Sequence, residues 1–228
     1  MTKTTDELIE SYDRIAERYA SEFFDELAQK PFEREVLDRF AAGVREGGSV
    51  LDIGCGPGQT VRYLKDRGLA IRGMDLSEGM LVTARERNPD VTFERHDFRC
   101  TGLADDSLAG IVGFYAIIHL LRSEAHHALE EFYRVLEPGG SLLLSFHGGE
   151  GQVHADEWFG EPVIINATFF RGEEMAGHAR DVGFEIVEVE ERDPYPFEFP
   201  VRRVYLHARV PSGDSSRDDS ISAPEAGD

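Results

Sequence analysis

The stretch Ser49-Val50-Leu51-Asp52-Ile53-Gly54-Cys55-Gly56-Pro57-Gly58 decides the fold of this chain. Five residues of apolar, strand-forming character run straight into a turn with glycine at every second position. A helical pattern follows, with Val61 and Leu64 as its first apolar positions. Glycines at 54, 56 and 58 let the backbone bend tightly and come close to a ligand, because no Cβ stands in the way. The helix start beyond them offers unpaired N–H groups. Taken alone, the three glycines fit either a ligand loop or a tight strand-to-helix turn with nothing bound. Asp52, at the end of the strand, is an odd residue for a buried strand unless its carboxylate has a use.

The next strand narrows the choice. Ala70 to Ser77 reads as a second short strand ending in Asp75, on the order of 20 residues after the loop. A carboxylate there suits a ribose, since its two acceptor oxygens can take both hydroxyl protons. A dinucleotide loop would need glycine where Gln59 stands, and Asp52 beside the loop would repel a pyrophosphate. A nucleoside carrying an amino group and a sulfonium fits better, which sets an NAD oxidoreductase aside.

Asp52-Ile53-Gly54-Cys55-Gly56-Pro57-Gly58, Asp75-Leu76-Ser77 with Met80, and His96-Asp97-Phe98 closely resemble the class I S-adenosylmethionine-dependent methyltransferases. Val135-Leu136-Glu137-Pro138-Gly139-Gly140-Ser141-Leu142 is similar to that family's lead-in to its fifth strand. The matches fall in order across roughly residues 10 to 210. They imply an α/β Rossmann-like three-layer α/β/α sandwich, a mostly parallel seven-stranded sheet with the last strand antiparallel, and S-adenosyl-L-methionine as cofactor.

The resemblance also implies roles. Asp52, Gly54, Gly56, Gly58, Asp75, Leu76, Met80, Asp97, Phe98, Tyr19 and Tyr115 are expected at the cofactor. Asp97 would accept from the adenine amino group while the backbone of Phe98 contacts the ring, although a loop acid can equally cap a helix. Tyr12-Asp13-x-x-Ala16-x-x-Tyr19 is similar to the N-terminal segment that folds over the cofactor in many small-molecule members. Tyr19 would then point at the methionine end and Tyr12 at the acceptor; an aromatic stripe that merely packs on the domain is the alternative for both.

Composition bounds the rest. A length of 228 residues with 41% hydrophobic content suits one full α/β domain with an ordinary core. No apolar run approaches the roughly 20 residues of a membrane span, and Met1 to Asp6 lacks the basic and apolar regions of a signal peptide. A cytoplasmic protein is expected. Cys55 and Cys100 make no disulfide framework, and Cys55 reads as a small packing residue. The net charge of −20 repels nucleic acid and anionic membranes, and Arg202-Arg203 is too small a basic patch to override it. Lysine occurs only at positions 3, 30 and 65, so the acidity resembles that of proteins from a high-salt cytoplasm. Loss of folding in salt-free buffer would support that habitat, and full stability there would exclude it.

Along the chain, residues 6–29 and 32–40 read as helices, and residues 1–45 as a helical cap over the cofactor site. Residues 46–210 form the core, with further helices over 59–67, 78–87, 123–136 and 173–182. Strands are expected over 91–95, 108–115, 141–147, 184–191 and 203–210. Residues 148–159 read as a glycine-rich loop and 163–170 as an extra strand. Together, residues 148–170 are expected to be an insertion covering the acceptor pocket, with simple packing as the alternative. Residues 211–228 read as a disordered acidic tail.

Transfer from a sulfonium needs alignment and exclusion of water more than acid–base help. A base matters only when the acceptor arrives protonated. His119, at the end of the fourth strand, is the catalytic candidate for that task. His147, His154, Trp158 and Tyr195, with Tyr12, are the expected acceptor-binding residues. The wide spacing of His119, His147 and His154, and the lack of a ligand motif, argue against a metal. The expected partner is a small-molecule acceptor methylated at O, N or C, with no nucleic acid and no membrane, and the protein is expected to be a monomer or homodimer. RNA or protein methylation lacks a basic stripe and the Asn/Asp-Pro-Pro-Tyr motif, since strand four ends Phe114-Tyr115-Ala116-Ile117. A non-catalytic protein that binds the cofactor or its demethylated product is the third reading.

Overall fold

The computed structural model describes residues 4–213. The expected tail lies, from residue 214 onward, outside the described residues. Nine strands and six helices follow in the order α1 (Thr4–Phe23), α2 (Pro31–Gly43), β1 (Ser49–Ile53), α3 (Gln59–Lys65), β2 (Ala70–Asp75), α4 (Glu78–Arg87), β3 (Phe93–Arg95), β4 (Leu108–Phe114), α5 (Ala125–Val135), β5 (Leu136–Gly148), β6 (Gln152–Trp158), β7 (Glu161–Thr168), α6 (Gly172–Val182), β8 (Glu185–Arg192) and β9 (Arg202–Arg209).

Seven of the strands make one sheet in the order β3-β2-β1-β4-β5-β9-β8. Leu51 of β1 registers with Arg72 of β2 on one side and Ile111 of β4 on the other, both parallel. Only β9 runs against its neighbours, pairing antiparallel with β5 and with β8. The strand order reverses between β1 and β4, and in such sheets the crevice beyond the strands' carboxyl ends is where ligands bind.

Alternation along the central strands sends side chains into two cores, one on each face. Leu51, Ile111, Leu142 and Leu144 pack beneath α5 and α6 with Leu129, Phe132 and Met175. Val50, Val112 and Leu143 pack beneath α2 and α3 with Leu37, Phe40 and Leu64. These are the three layers expected, built by the two-residue period of a strand buried on both faces.

Two expectations are corrected. The first helix does not run to residue 29. It stops at Phe23, and a 3-10 turn over Glu26–Gln29 leads to Pro31, which starts α2 at a position where its missing N–H costs nothing. Residues 148–159 are not a loop. From Gln152 the chain forms β6, which pairs with β7 as an antiparallel hairpin. Gly149 and Gly151, both at positive φ, belong to the bend that enters it.

This hairpin and α1 form a third, smaller core of Ile15, Val163 and Ile165, bordered by Leu8, Tyr12, Tyr19 and Trp158. The Ser11 hydroxyl accepts from the Ile164 N–H at 2.8 Å, and the Arg14 guanidinium donates to the Pro162 carbonyl. At its other side α1 is pinned to α4. Asp13 Oδ1 accepts from the Ser77 hydroxyl at 2.6 Å and from the Gly79 N–H at 2.8 Å. A Cβ on Gly79 would lie 2.8 Å from the Asp13 Cα, so glycine is what lets the two helices meet.

Candidate active site

β1 ends in a turn in which Gly54, Gly56 and Gly58 all take positive φ. A side chain on Gly54 would strike the Ala116 Cβ at 2.5 Å, whereas Gly56 faces open space with nothing within 4 Å. That space is one cavity of about 920 Å³. Its walls come from the glycine turn, the ends of β2, β4 and β5, helix α1, the hairpin and the segment before β9.

Asp75 sits on the wall with both oxygens already held. Oδ2 accepts from the Gly56 N–H and Oδ1 from the Ser77 N–H, each at 2.9 Å. Burial raises its pKa, against the pull of those backbone donors. Asp52 lies beneath the turn and off the cavity wall, 2% exposed, with Oδ2 lacking any hydrogen-bond partner. Burial, and then the charge of Asp75, push its pKa well up. Neither carboxylate has a basic partner among the described ion pairs, so the floor of the turn favours a ligand that brings positive charge.

Leu76, Met80, Asp97 and Phe98 share the wall with Gly54, Gly56 and Asp75. Gly58 does not: it caps α3, and a Cβ there would meet Asn88 and Phe93. Asp97 is clasped by Arg99 through Nη2 at 2.7 Å and Nε at 3.0 Å, and accepts from the Arg99 N–H at 2.9 Å. Although burial alone would raise its pKa, these contacts lower it. An amino group arriving there would compete with Arg99. Cys55 is buried, and burial raises its thiol pKa well above the usual value, as suits packing and not nucleophilic attack.

Across the cavity, Tyr12, Tyr19, Phe23 and Trp158 form an aromatic cover, with Trp158 stacked on Phe159 at 5.2 Å. Tyr12 also reaches His119. Its hydroxyl lies 2.9 Å from His119 Nε2, while His119 Nδ1 lies 3.0 Å from the Asn166 carbonyl. A carbonyl only accepts, so the ring proton is on Nδ1 and Nε2 receives the Tyr12 O–H. Burial lowers the pKa of His119, which keeps the ring neutral.

Farther in, Tyr115 bends the chain out of β4 at a φ of 58° and holds that conformation through its N–H to the Ser145 carbonyl at 2.8 Å. Lys30 Nζ and the Arg203 guanidinium stand 5.8 and 5.7 Å from its ring centre. His147 lies beside it, with ring centres 5.2 Å apart. Burial first, and then the charge of Arg203, push the His147 pKa down to about 3.

Thirteen of the residues expected at the site thus line one cavity. His154 does not reach it: the alternation of β6 turns Val153 and Ala155 inward, and His154 is exposed, with Nδ1 2.9 Å from the Asn166 side-chain oxygen. Tyr195 also stands back from the wall. Its ring stacks on Phe197, and its hydroxyl accepts from the Phe32 N–H at 3.3 Å. Among the described residues no three acidic, histidine or cysteine side chains come together as a metal site.

Several wall residues carried no sequence signal of their own. Phe197, Glu198 and Phe199 lie on the wall in the place expected of Tyr195. Arg203 is buried there, and only Arg202 of that pair is exposed. The tautomer-fixing carbonyl of Asn166 is a backbone group and had no signature at all.

The family model of the methyltransferase domain matches residues 50–140, which run from β1 through the turn to the start of β5. Residues 50–140 carry a methyltransferase domain. The chain is 29% identical over 147 residues to the demethylmenaquinone methyltransferase of Renibacterium salmoninarum, covering 64% of this chain and 60% of that protein. It is 34% identical over 170 residues to the malonyl-[acyl-carrier protein] O-methyltransferase of Salmonella typhimurium, covering 66% and 64%. The chain therefore spans less than two thirds of the length of these curated relatives. The methyltransferase fold is shared with the solved DhpI complex with S-adenosylhomocysteine, at a TM-score of 0.69 and 21% identity over 91% of this chain and 99% of that one. Among the described residues, no helix of the domain is long and apolar enough to cross a membrane.

Proposed function

We propose that this chain transfers a methyl group from S-adenosylmethionine to a small-molecule acceptor. The observation that carries the reading is the single cavity: a glycine turn with the Asp75 carboxylate at one end, continuous with an aromatic compartment under α1 and the hairpin at the other. Bound S-adenosylmethionine supplies a methyl group already activated on a sulfonium. Asp75, fixed by two backbone N–H groups, keeps lone pairs free for ribose hydroxyls. Gly54 and Gly56 leave the backbone bare where the cofactor would lie. Asp75, on the wall and without a basic partner among the described ion pairs, favours its positive charge.

The protein's further task is to hold the acceptor in line and dry. Tyr12, Tyr19 and Trp158 close the cavity from the α1 side, so α1 acts as a cap and the hairpin as a cover. Where the acceptor carries a proton, that proton leaves through the Tyr12 hydroxyl to His119 Nε2, because Tyr12 already donates to that nitrogen. Bound in the cavity, the sulfonium would supply the methyl group and leave as the neutral thioether, and the acceptor's proton would end on the His119 ring. An enclosed compartment without a basic stripe suits a small molecule, not RNA or a protein surface. The protein works as a monomer or homodimer in the cytoplasm.

The test is release of S-adenosylhomocysteine from S-adenosylmethionine in the presence of pooled small-molecule fractions, of RNA, and of protein. Product formed only with the small-molecule pool is the expected result. Product formed with RNA or protein would contradict the acceptor class. No product with any pool, despite cofactor binding, would leave a binding protein in place of an enzyme.

A further inference from the structure

The end of the cavity bordered by β5 and β9 carries buried polar atoms that the protein does not fully satisfy. His147 Nδ1 has no hydrogen-bond partner, and the Tyr115 and Ser145 hydroxyls have only each other within reach. Such atoms each cost on the order of 1–3 kcal/mol when left unpaired in an apolar surround. They are also neighbours by construction. Ser145 and His147 are two apart on β5 and so share a face of the sheet, and His147 registers with Arg203 of β9 on that same face. The Arg203 guanidinium in turn stands over the Tyr115 ring.

The surrounding charges cancel. Lys30 pairs with Glu26 at 2.8 Å and with Glu198 at 3.0 Å, Arg192 pairs with Glu33 and with Glu198, and Arg203 Nε lies 3.8 Å from Glu198. Three cations thus face three carboxylates. A cation placed at His147 would meet Arg203 and Lys30, the groups that help keep the His147 ring unprotonated. An anion would have to pass Glu22, Asp25 and Glu157 on the cavity wall in a chain of net charge −20. Beside these atoms the walls are flat and apolar: the Phe199 ring tilts by 35° from that of His147 at 6.3 Å, and Phe197 and Phe199 remain 56% and 51% exposed. An aromatic surface left open on a cavity wall is surface that a flat ligand would cover.

We infer that this compartment binds the acceptor through an uncharged oxygen, a hydroxyl or carbonyl on a planar aromatic or conjugated framework, hydrogen-bonded by Tyr115 and His147 and stacked against Phe199. The inference rests on the methyl-transfer reading for calling the ligand an acceptor, but its chemistry is read from this end of the cavity alone.

Three probes of one shape and different charge test it: 2-naphthol, 2-naphthoate and 2-naphthylmethylammonium, titrated at pH 7.5 into the full chain with and without S-adenosylhomocysteine. The expected order places 2-naphthol at least tenfold tighter than either charged probe. Tyr115→Phe and His147→Phe are expected to weaken 2-naphthol by about tenfold each, a lost hydrogen bond with a buried partner, while 2-naphthoate is unaffected. Tighter binding of a charged probe, or no binding of any of the three, would overturn the inference, and both results are read on the unaltered protein. Failure of S-adenosylhomocysteine to bind while the order of probes holds would instead sink the methyl-transfer reading.

Discussion

The two ends of the cavity are built by different means. The end proposed for the cofactor is backbone: a turn of positive-φ glycines, two N–H groups that fix Asp75, and a helix start, all within residues 49–80. The end proposed for the acceptor is side chain. Tyr12, Tyr115 (expected at the cofactor), His119, His147 and Arg203 come from α1, from the ends of β4 and β5, and from β9. At Gly54 the backbone site leaves no room for an added atom. A side-chain site can change one polar group and keep its shape, so the same fold can hold one cofactor and different acceptors.

The sharpest break is expected from adding a methyl group at the backbone end. Gly54→Ala places a Cβ 2.5 Å from that of Ala116 in a conformation that side chains rarely adopt, and a cost of about 3 kcal/mol is expected from overpacking plus strain. Chemical denaturation reads it. At the acceptor end, His119→Ala is expected to lower turnover by roughly 100-fold while leaving cofactor affinity intact. Unchanged turnover would remove His119 and its Tyr12 partner from the chemistry, and equal losses in both ends' affinities would mean the two are not separable.

The pH dependence of stability sharpens the same contrast. His147 has its pKa at about 3 in the folded chain and near 6.5 unfolded. Between those values only the unfolded chain takes the proton. The contribution of this residue to stability is therefore full above pH 6.5 and drains as pH falls toward 3, by about 1.4 kcal/mol per unit. His119 and His207, whose pKa values are also lowered by burial, act in the same direction. His147→Phe should flatten the profile of denaturation midpoint against pH from 6.5 downward. The smallest effect belongs to the seam between the ends. Asp13→Ala frees the Ser77 hydroxyl and the Gly79 N–H, and about 1 kcal/mol of stability should go with them. Faster hydrogen exchange in α1 should accompany it, with β1 to β4 unchanged.

The contrast also explains what could be read from the sequence. The loop Asp52 to Gly58 and Asp75 were legible from contiguous residues, where spacing and residue type carry the geometry. The seven-stranded sheet was legible only through the family resemblance that those motifs carry. At the acceptor end, spacing carries little. The hairpin strand β6 was hidden because Gln152, His154, Asp156 and Glu157 are polar, and only Val153 and Ala155 mark its inward face. The segment 193–200 was legible as aromatic, but which of its rings faces the cavity depends on its packing, with Arg192 4.0 Å from the Tyr195 ring and Phe197 stacked on it. The Arg202-Arg203 pair read as a surface doublet because the pairing of Arg203 with His147 spans 56 residues of sequence.

The central claim is that the backbone end of the cavity binds S-adenosylmethionine through Asp75. Calorimetric titration of the full chain with S-adenosylmethionine and with S-adenosylhomocysteine, repeated on Asp75→Ala in low and high salt, tests it most directly. Micromolar binding of both ligands, weakened at least about 100-fold by the substitution as two charge-assisted hydrogen bonds are lost, is the result expected. No binding to the unaltered chain in either salt condition, or binding that survives Asp75→Ala, would contradict it.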